Sequence, residues 1–186
     1  MNVVHLDARQ LRTLAHPLRM RLLGSLRADG PATATMLARH LDTNTGATSY
    51  HLRQLAEVGL VGEDTDRAAG RERWWRAMHE VSSWRPEDFD DDPDASAASE
   101  WIEAQALRYL TEQAERWRAE RHTFDAAWQQ AVNFGDRLLR LGPARLRALN
   151  DELNELLERY EREPETADDA EQVYLAYAAF PRRAGW

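Results

Sequence analysis

The sequence predicts a mainly α protein, with helices and one β-hairpin in its first half and a helical α+β segment in its second. Three observations predict this. Leucines recur at intervals of three and four through residues 11–60, the spacing that lines one face of an α-helix. Residues 60–64 and 71–78 flank a loop containing Gly70, which is a hairpin pattern. From 95 to 162 apolar side chains return at helical spacing, and QVYLAYAAF at 172–180 then brings β-favouring aromatics.

Asp7 is placed to cap a first helix carrying Leu11 and Leu14. Pro17 breaks the run, so one helix is expected to end near Ala15 and another to span about Pro17 to Ala28 with Leu18, Leu22, Leu23 and Leu26. Asp29-Gly30-Pro31 is a stop and turn. Thr33 can cap a third helix whose apolar face is Met36, Leu37 and Leu41, and Asn44, after a tight turn at Asp42-Thr43, can cap a fourth. In that fourth helix, Thr45 to about Val58, the residues Tyr50, Leu52, Leu55, Ala56 and Val58 are expected to face the core. Thr45, Thr48, Ser49, His51, Arg53 and Gln54 are left on the open face. Gly59 then terminates it. The hairpin that follows carries Arg67, Arg71, Arg73 and Arg76, with Trp74 or Trp75 packed beneath.

Residues 85–95 include Asp88 to Asp94, an acidic run with Pro86 before it and Pro93 within it, and read as a linker between a domain at 1–84 and another at 96–186. A solvated spacer is the favoured reading; an acidic segment that imitates phosphate is the minor one. A long helix is expected from about Ala95 to Ala131, with Leu107, Leu110, Ala114, Trp117, Phe124 and Trp128 in one stripe. Residues 132–141 can form a short strand pairing with 172–180. Pro143 opens a further helix to about Arg162, carrying Leu146, Leu149, Leu153, Leu156, Leu157 and Tyr160.

Composition limits the chemistry. There is no Cys, which excludes disulfides, thiolate metal sites and a thiol nucleophile, and fits a reducing compartment. No apolar run approaches the roughly 18 residues that span a bilayer, so the cytoplasm is the expected location and no membrane partner is expected. All 24 basic residues are Arg, which reads as codon bias in a GC-rich genome. The net charge of −8 hides an asymmetry: residues 1–80 hold 11 Arg against 9 acidic side chains, a net of +2, and residues 81–186 hold 13 against 23, a net of −10. The local potential is what a phosphate backbone feels, so an acidic average does not exclude DNA.

Two helices at a tight turn followed by a basic hairpin make a winged helix-turn-helix. The stretches LRTLAHPLRMRLL (11–23), GPATATMLARHL (30–41), TGATSYHLRQLAEVGLV (45–61) and GRERWWRAM (70–78) resemble the ArsR-type winged-helix transcriptional regulators, in the subgroup with a long C-terminal extension. The resemblance covers about residues 5–80; beyond that it is limited to DRLLRL (136–141) and AAFP (178–181). It implies a homodimer that lays the helix from Thr45 to Val58 in the major groove of double-stranded DNA. The small polar groups Thr45, Thr48, Ser49, His51, Arg53 and Gln54 suit base edges, while Arg67, Arg71 and Arg73 suit phosphates or the minor groove.

Metal sensing is common among proteins of this type, but without thiolates, and with six His dispersed along the chain, no metal and no cofactor are expected. No phosphate loop, nucleophile elbow or triad pattern is present, so an enzyme is not expected. The stripe of Leu107, Leu110, Trp117, Phe124 and Trp128 is expected to build a second core and the dimer interface. The alternative is that these aromatics line an apolar pocket for an unidentified small-molecule effector, between the long helix and the small sheet. The resulting expectation is a sequence-specific, homodimeric regulator, a repressor acting on a pseudo-palindromic operator. The alternative from another class is a protein-interaction scaffold that uses the winged helix for docking.

Overall fold

The computed structural model describes residues 3–67, 72–163 and 170–183. Its element order is β1 (Val3–His5), α1 (Ala8–Leu14), α2 (Pro17–Ala28), β2 (Ala32–Thr33), α3 (Ala34–His40), α4 (Thr45–Glu57), β3 (Val61–Glu63), β4 (Trp74–Ala77), β5 (Val81–Ser83), α5 (Pro93–Glu120), α6 (Ala126–Ala131) and α7 (Pro143–Arg162). The chain divides into two compact units, residues 1–106 and 107–186.

The helix boundaries of the first unit follow from their caps. Asp7 accepts from the Gln10 amide at 2.8 Å while Gln10 Oε1 accepts from the Asp7 amide at 3.1 Å, a complete capping box. His16 caps α2 and Pro17 opens it. Thr33 caps α3 and Asn44 caps α4. Gly59 stops the chain after α4 with φ +74°, a left-handed conformation that favours glycine.

Leu11, Leu22, Leu23, Leu26, Leu37, Leu41, Leu52, Leu55, Leu60, Val61 and Trp75 share one buried core. Of the paired tryptophans, Trp75 is the one beneath the wing. Met36 departs from expectation: it is 48% exposed, because Leu37, Ala38 and Leu41 already fill the inner face of α3.

The hairpin forms, with Val61 opposite Ala77 and Glu63 opposite Trp75. It also gains a third strand, β2, which sets Ala32 against Trp75 in the order β2-β4-β3. A Cβ on Gly62 would lie 2.6 Å from the Met78 sulfur, so a larger residue there would require the flexible Met78 side chain to move. A second, parallel pairing joins β1 to β5, with Val3 opposite Val81. Two- and three-residue strands show no readable alternation, which is why β1, β2 and β5 escape a sequence reading.

The acidic stretch is not a solvated spacer. Phe89 is buried in the core with Ala95, Ala98 and Ile102. Asp88 lies 3.0 Å from His5 Nε2, and Asp92 accepts from Arg12 at 2.6 Å and from the Ala95 amide at 3.0 Å. Trp84 Nε1 donates to Ser99 Oγ at 2.8 Å. The first unit therefore runs past the expected boundary at 85–95, to Ala106.

The second unit differs from expectation in two ways. The long helix ends at Glu120: Thr123 Oγ1 donates to the Glu120 carbonyl, and Asp125 accepts from the Trp128 amide at 2.9 Å and starts α6 afresh. The expected strands at 132–141 and 172–180 are absent; both stretches are irregular, so the segment is helical rather than α+β. Two strands alone are marginal without an apolar surface to cover, and no described residue of this unit is buried. Trp117 and Phe124 lie with ring centroids 5.3 Å apart, and Tyr109 meets Tyr174 edge-on at 5.4 Å. These contacts are local. The expected second core is not formed within one chain, and Leu107 stays 58% exposed.

Two outcomes follow from this packing. Leu52→Ala, at a site with no solvent exposure, should cost about 2–5 kcal/mol, read as a lower urea midpoint with an unchanged slope. The Ala95 amide first, and then Arg12, hold the Asp92 carboxyl below its ordinary 3.8. Because the folded value is the lower one, the stabilisation is full above 3.8 and is lost as the pH falls through the folded value. Asp92→Asn should therefore flatten the acid limb of a stability-against-pH curve and leave its shape near neutrality unchanged.

Candidate nucleic-acid interface

The open face of α4 begins where its cap leaves off. Asn44 Oδ1 accepts from the Ala47 amide at 2.7 Å, which fixes the first turn. Thr45, Ser49 and Arg53 then follow at four-residue intervals and share one line along the helix. Arg53 Nε donates to the Ser49 carbonyl at 3.2 Å.

Opposite this line stands the wing. Thr33, Ala34 and Thr35 at the start of α3, Thr45, Ser49 and Arg53 of α4, and Glu72, Arg73 and Trp75 of the wing enclose an open groove of about 320 Å³. Arg73 is braced there by Glu63, 3.2 Å away, and by the Trp75 ring, whose centroid lies 5.7 Å from the guanidinium carbon. Arg67 is held in a similar way, 3.8 Å from Asp64 and 5.8 Å from the Trp74 centroid, but it does not line the groove. Preorganised guanidinium groups lose less rotamer freedom on meeting a phosphate.

Of the residues expected on the open face and the wing, the structure brings Thr45, Ser49, Arg53 and Arg73 together. Gln54 is half-buried and donates to Glu57 Oε2 at 3.1 Å. Arg71 lies outside the described residues. Two expectations are corrected. Thr48 is 0% exposed, with its hydroxyl donating to the Asn44 carbonyl at 3.1 Å, so it serves the helix and not a ligand. His51 turns toward α2, where its ring stacks on His16 at 4.4 Å. Tyr50 is displaced the other way: expected in the core, it is 51% exposed. The one-position shifts arise because Leu52 and Leu55 set the inward direction, and Thr48, four residues before Leu52, must share it. Thr35 and Glu72 lie within the stretches that carry the resemblance, but the sequence assigns them no site role; the groove brings them to the site.

Among the described residues, no group of three or more His, Asp or Glu stands close enough to hold a metal ion. No helix among them is long and apolar enough to cross a membrane. Arg27 is a structural cation: burial pushes it down to about 10, and it donates to the His79 carbonyl and to Ser82 Oγ.

Residues 14–62 match a family described as a helix-turn-helix domain, a span that runs from the end of α1 into β3. A solved structure described as a possible transcriptional regulator for arsenical resistance is 31% identical, with 60% of this chain covering 94% of that one, at a TM-score of 0.33. Residues 14–62 thus carry a helix-turn-helix domain, and the hairpin of β3 and β4 that follows adds a wing to it. A homodimeric winged helix-turn-helix DNA-binding domain from Mycobacterium bovis, described as a possible ArsR-family regulator, is 24% identical over 54% of this chain and 76% of that one, with a TM-score of 0.36. A MarR family regulator from Silicibacter pomeroyi is 20% identical over 79% and 73%, with a TM-score of 0.31. These superpositions are loose, and the assignment of the domain rests on the match at residues 14–62. No curated protein matches the chain.

Proposed function

We propose that the chain is an ArsR-type winged helix-turn-helix regulator with a long C-terminal extension, which binds double-stranded DNA as a homodimer and represses transcription from a pseudo-palindromic operator. The observation that carries this reading is the groove, which joins the hydroxyl line of α4 to a braced arginine of the wing. An α-helix fits the major groove, and Thr45, Ser49, Arg53 and Gln54 supply donors and acceptors of the size that base edges require. Arg73, Arg67 and Arg71 are assigned to phosphates. In a two-fold dimer the two α4 helices would enter major grooves roughly 34 Å apart.

The dimer contact is assigned to the stripe of Leu107, Leu110, Trp117, Phe124 and Trp128. Its support is exposure: Leu107 and Leu110 are open to solvent and the three aromatics are only half-buried within one chain. Burying such a stripe against its own copy would remove apolar surface from water at about 25 cal/mol per Å². An unidentified small-molecule effector would act by favouring one dimer geometry over another. The small sheet expected to wall its pocket is not formed, so no lining is assigned.

Gel retardation on DNA upstream of the regulator's own gene, run at two salt concentrations, tests the reading. A specific shift is expected. Arg73→Ala should weaken it and lower the salt slope by about 0.9 for each phosphate that is no longer neutralised, whereas Arg53→Ala should weaken it and relax its sequence specificity. Absence of any specific shift would overturn DNA reading and favour a protein-docking scaffold. Trp117→Asp should convert the dimer to monomers in sedimentation velocity; an unchanged profile would remove the stripe as the interface.

A further inference from the structure

The seam between α2 and α4 holds a pair of imidazoles that the DNA-reading groove does not use. His16 and His51 stack with centroids 4.4 Å apart and planes tilted by 37°. His16 is the cap of α2: its Nδ1 accepts from the Leu18 amide at 3.1 Å. That bond needs the lone pair on Nδ1, so the neutral ring carries its proton on Nε2. His51 Nδ1 is buried and has no hydrogen-bond partner. The charged or titratable groups facing the pair are Arg19 from α2, whose Nε donates to the Thr13 carbonyl, and Tyr50 from α4, whose ring meets His51 edge-on at 5.2 Å. From α1 the contact to the end of α4 is the uncharged Gln10 amide, which donates to the Val58 carbonyl. Among the described residues, the histidines within ion-pair reach of carboxylates are His5, with Asp88, and His40, with Asp29.

We propose that the His16–His51 pair is a pH-sensitive latch, which fixes α4 on α2 while both rings are neutral and releases it in mild acid. A proton on His16 Nδ1 turns the acceptor of the α2 cap into a donor facing the Leu18 N–H. A proton on His51 Nδ1 creates a buried cationic donor with no acceptor, beside Arg19. Either event sets like charges together in a seam with no counter-charge from this pair's neighbours. Burial first, and then the neighbouring cations, hold both rings below the ordinary 6.5. The sign follows from linkage. The unfolded or opened chain takes up protons first, so the latch is complete above 6.5 and weakens as the pH falls below it. The effect on DNA rests on the proposed reading by α4; the latch itself does not.

Amide hydrogen exchange of Leu52 and Leu55 in the full chain, corrected for intrinsic rates, tests the latch. Opening of α4 should rise about tenfold per unit of pKa depression between neutral pH and about pH 5. His16→Asn keeps a capping acceptor and His51→Gln keeps a neutral side chain, so the double variant should show an opening that does not depend on pH. An equal pH dependence in the double variant, or imidazole NMR in the wild type placing both rings at the ordinary 6.5, would overturn the proposal. The imidazole titration stands even where the variant fails to fold. In gel retardation at fixed ionic strength, the wild type should lose its shift on acidification more steeply than the double variant, and equal loss would overturn the link to DNA. No shift at any pH would instead overturn the DNA reading and leave the exchange result as the measure of the latch.

Discussion

The burial of one face of α4 is the constraint on which the rest of the first unit depends. Leu52 and Leu55 are withdrawn from water into a core built by α1, α2, α3 and the wing. Once those two side chains are fixed, the helix cannot rotate, and Thr45, Ser49 and Arg53 must stand on the uncovered side. The reading face is thus positioned by its opposite face. Core packing has a stiffness that a surface contact lacks, because a shift of even one methylene is felt throughout a close-packed interior.

The wing and the acidic segment extend the same logic. Trp75 sits beneath the sheet and belongs to the leucine core, so the strand that carries it also fixes Arg73 across the groove from Arg53. The stretch from Phe89 to Ile102 closes the core from another side, with Asp88 and Asp92 held by His5 and Arg12. Carboxylates that a charge count would assign to solvent are engaged locally in a cap and two ion pairs. Within residues 1–80, where the net is +2, Arg67 and Arg73 of the wing are already paired with Asp64 and Glu63 and offer direction more than excess charge.

The second unit stands in contrast. Its helices have strong apolar stripes and no described residue is buried, so the information in those stripes is not used within one chain. Leucine and tryptophan at helical spacing state that a surface will be covered. They do not state whether the cover comes from the same chain or from a copy, since a helix face has the same period in either case. The same ambiguity explains the missing strands at 132–141 and 172–180: aromatic and branched residues favour a pleated surface only when a partner strand and a packed face exist.

The sequence by itself determined the caps, the breaks and the helix-turn-helix with its hairpin, because Asp7, Thr33, Asn44, Pro17 and Gly59 act through bonds and dihedrals a few residues away. It also determined the residue types of the reading face. Only the tertiary structure decided that Thr48 turns inward, that His51 stacks on His16, that Tyr50 stays in solvent and that Thr35 joins Arg73 across a groove. Those outcomes depend on helix rotation and on contacts between residues distant in the chain. A helical period locates a face only to within one position; the burial of Leu52 and Leu55 removes that remaining freedom.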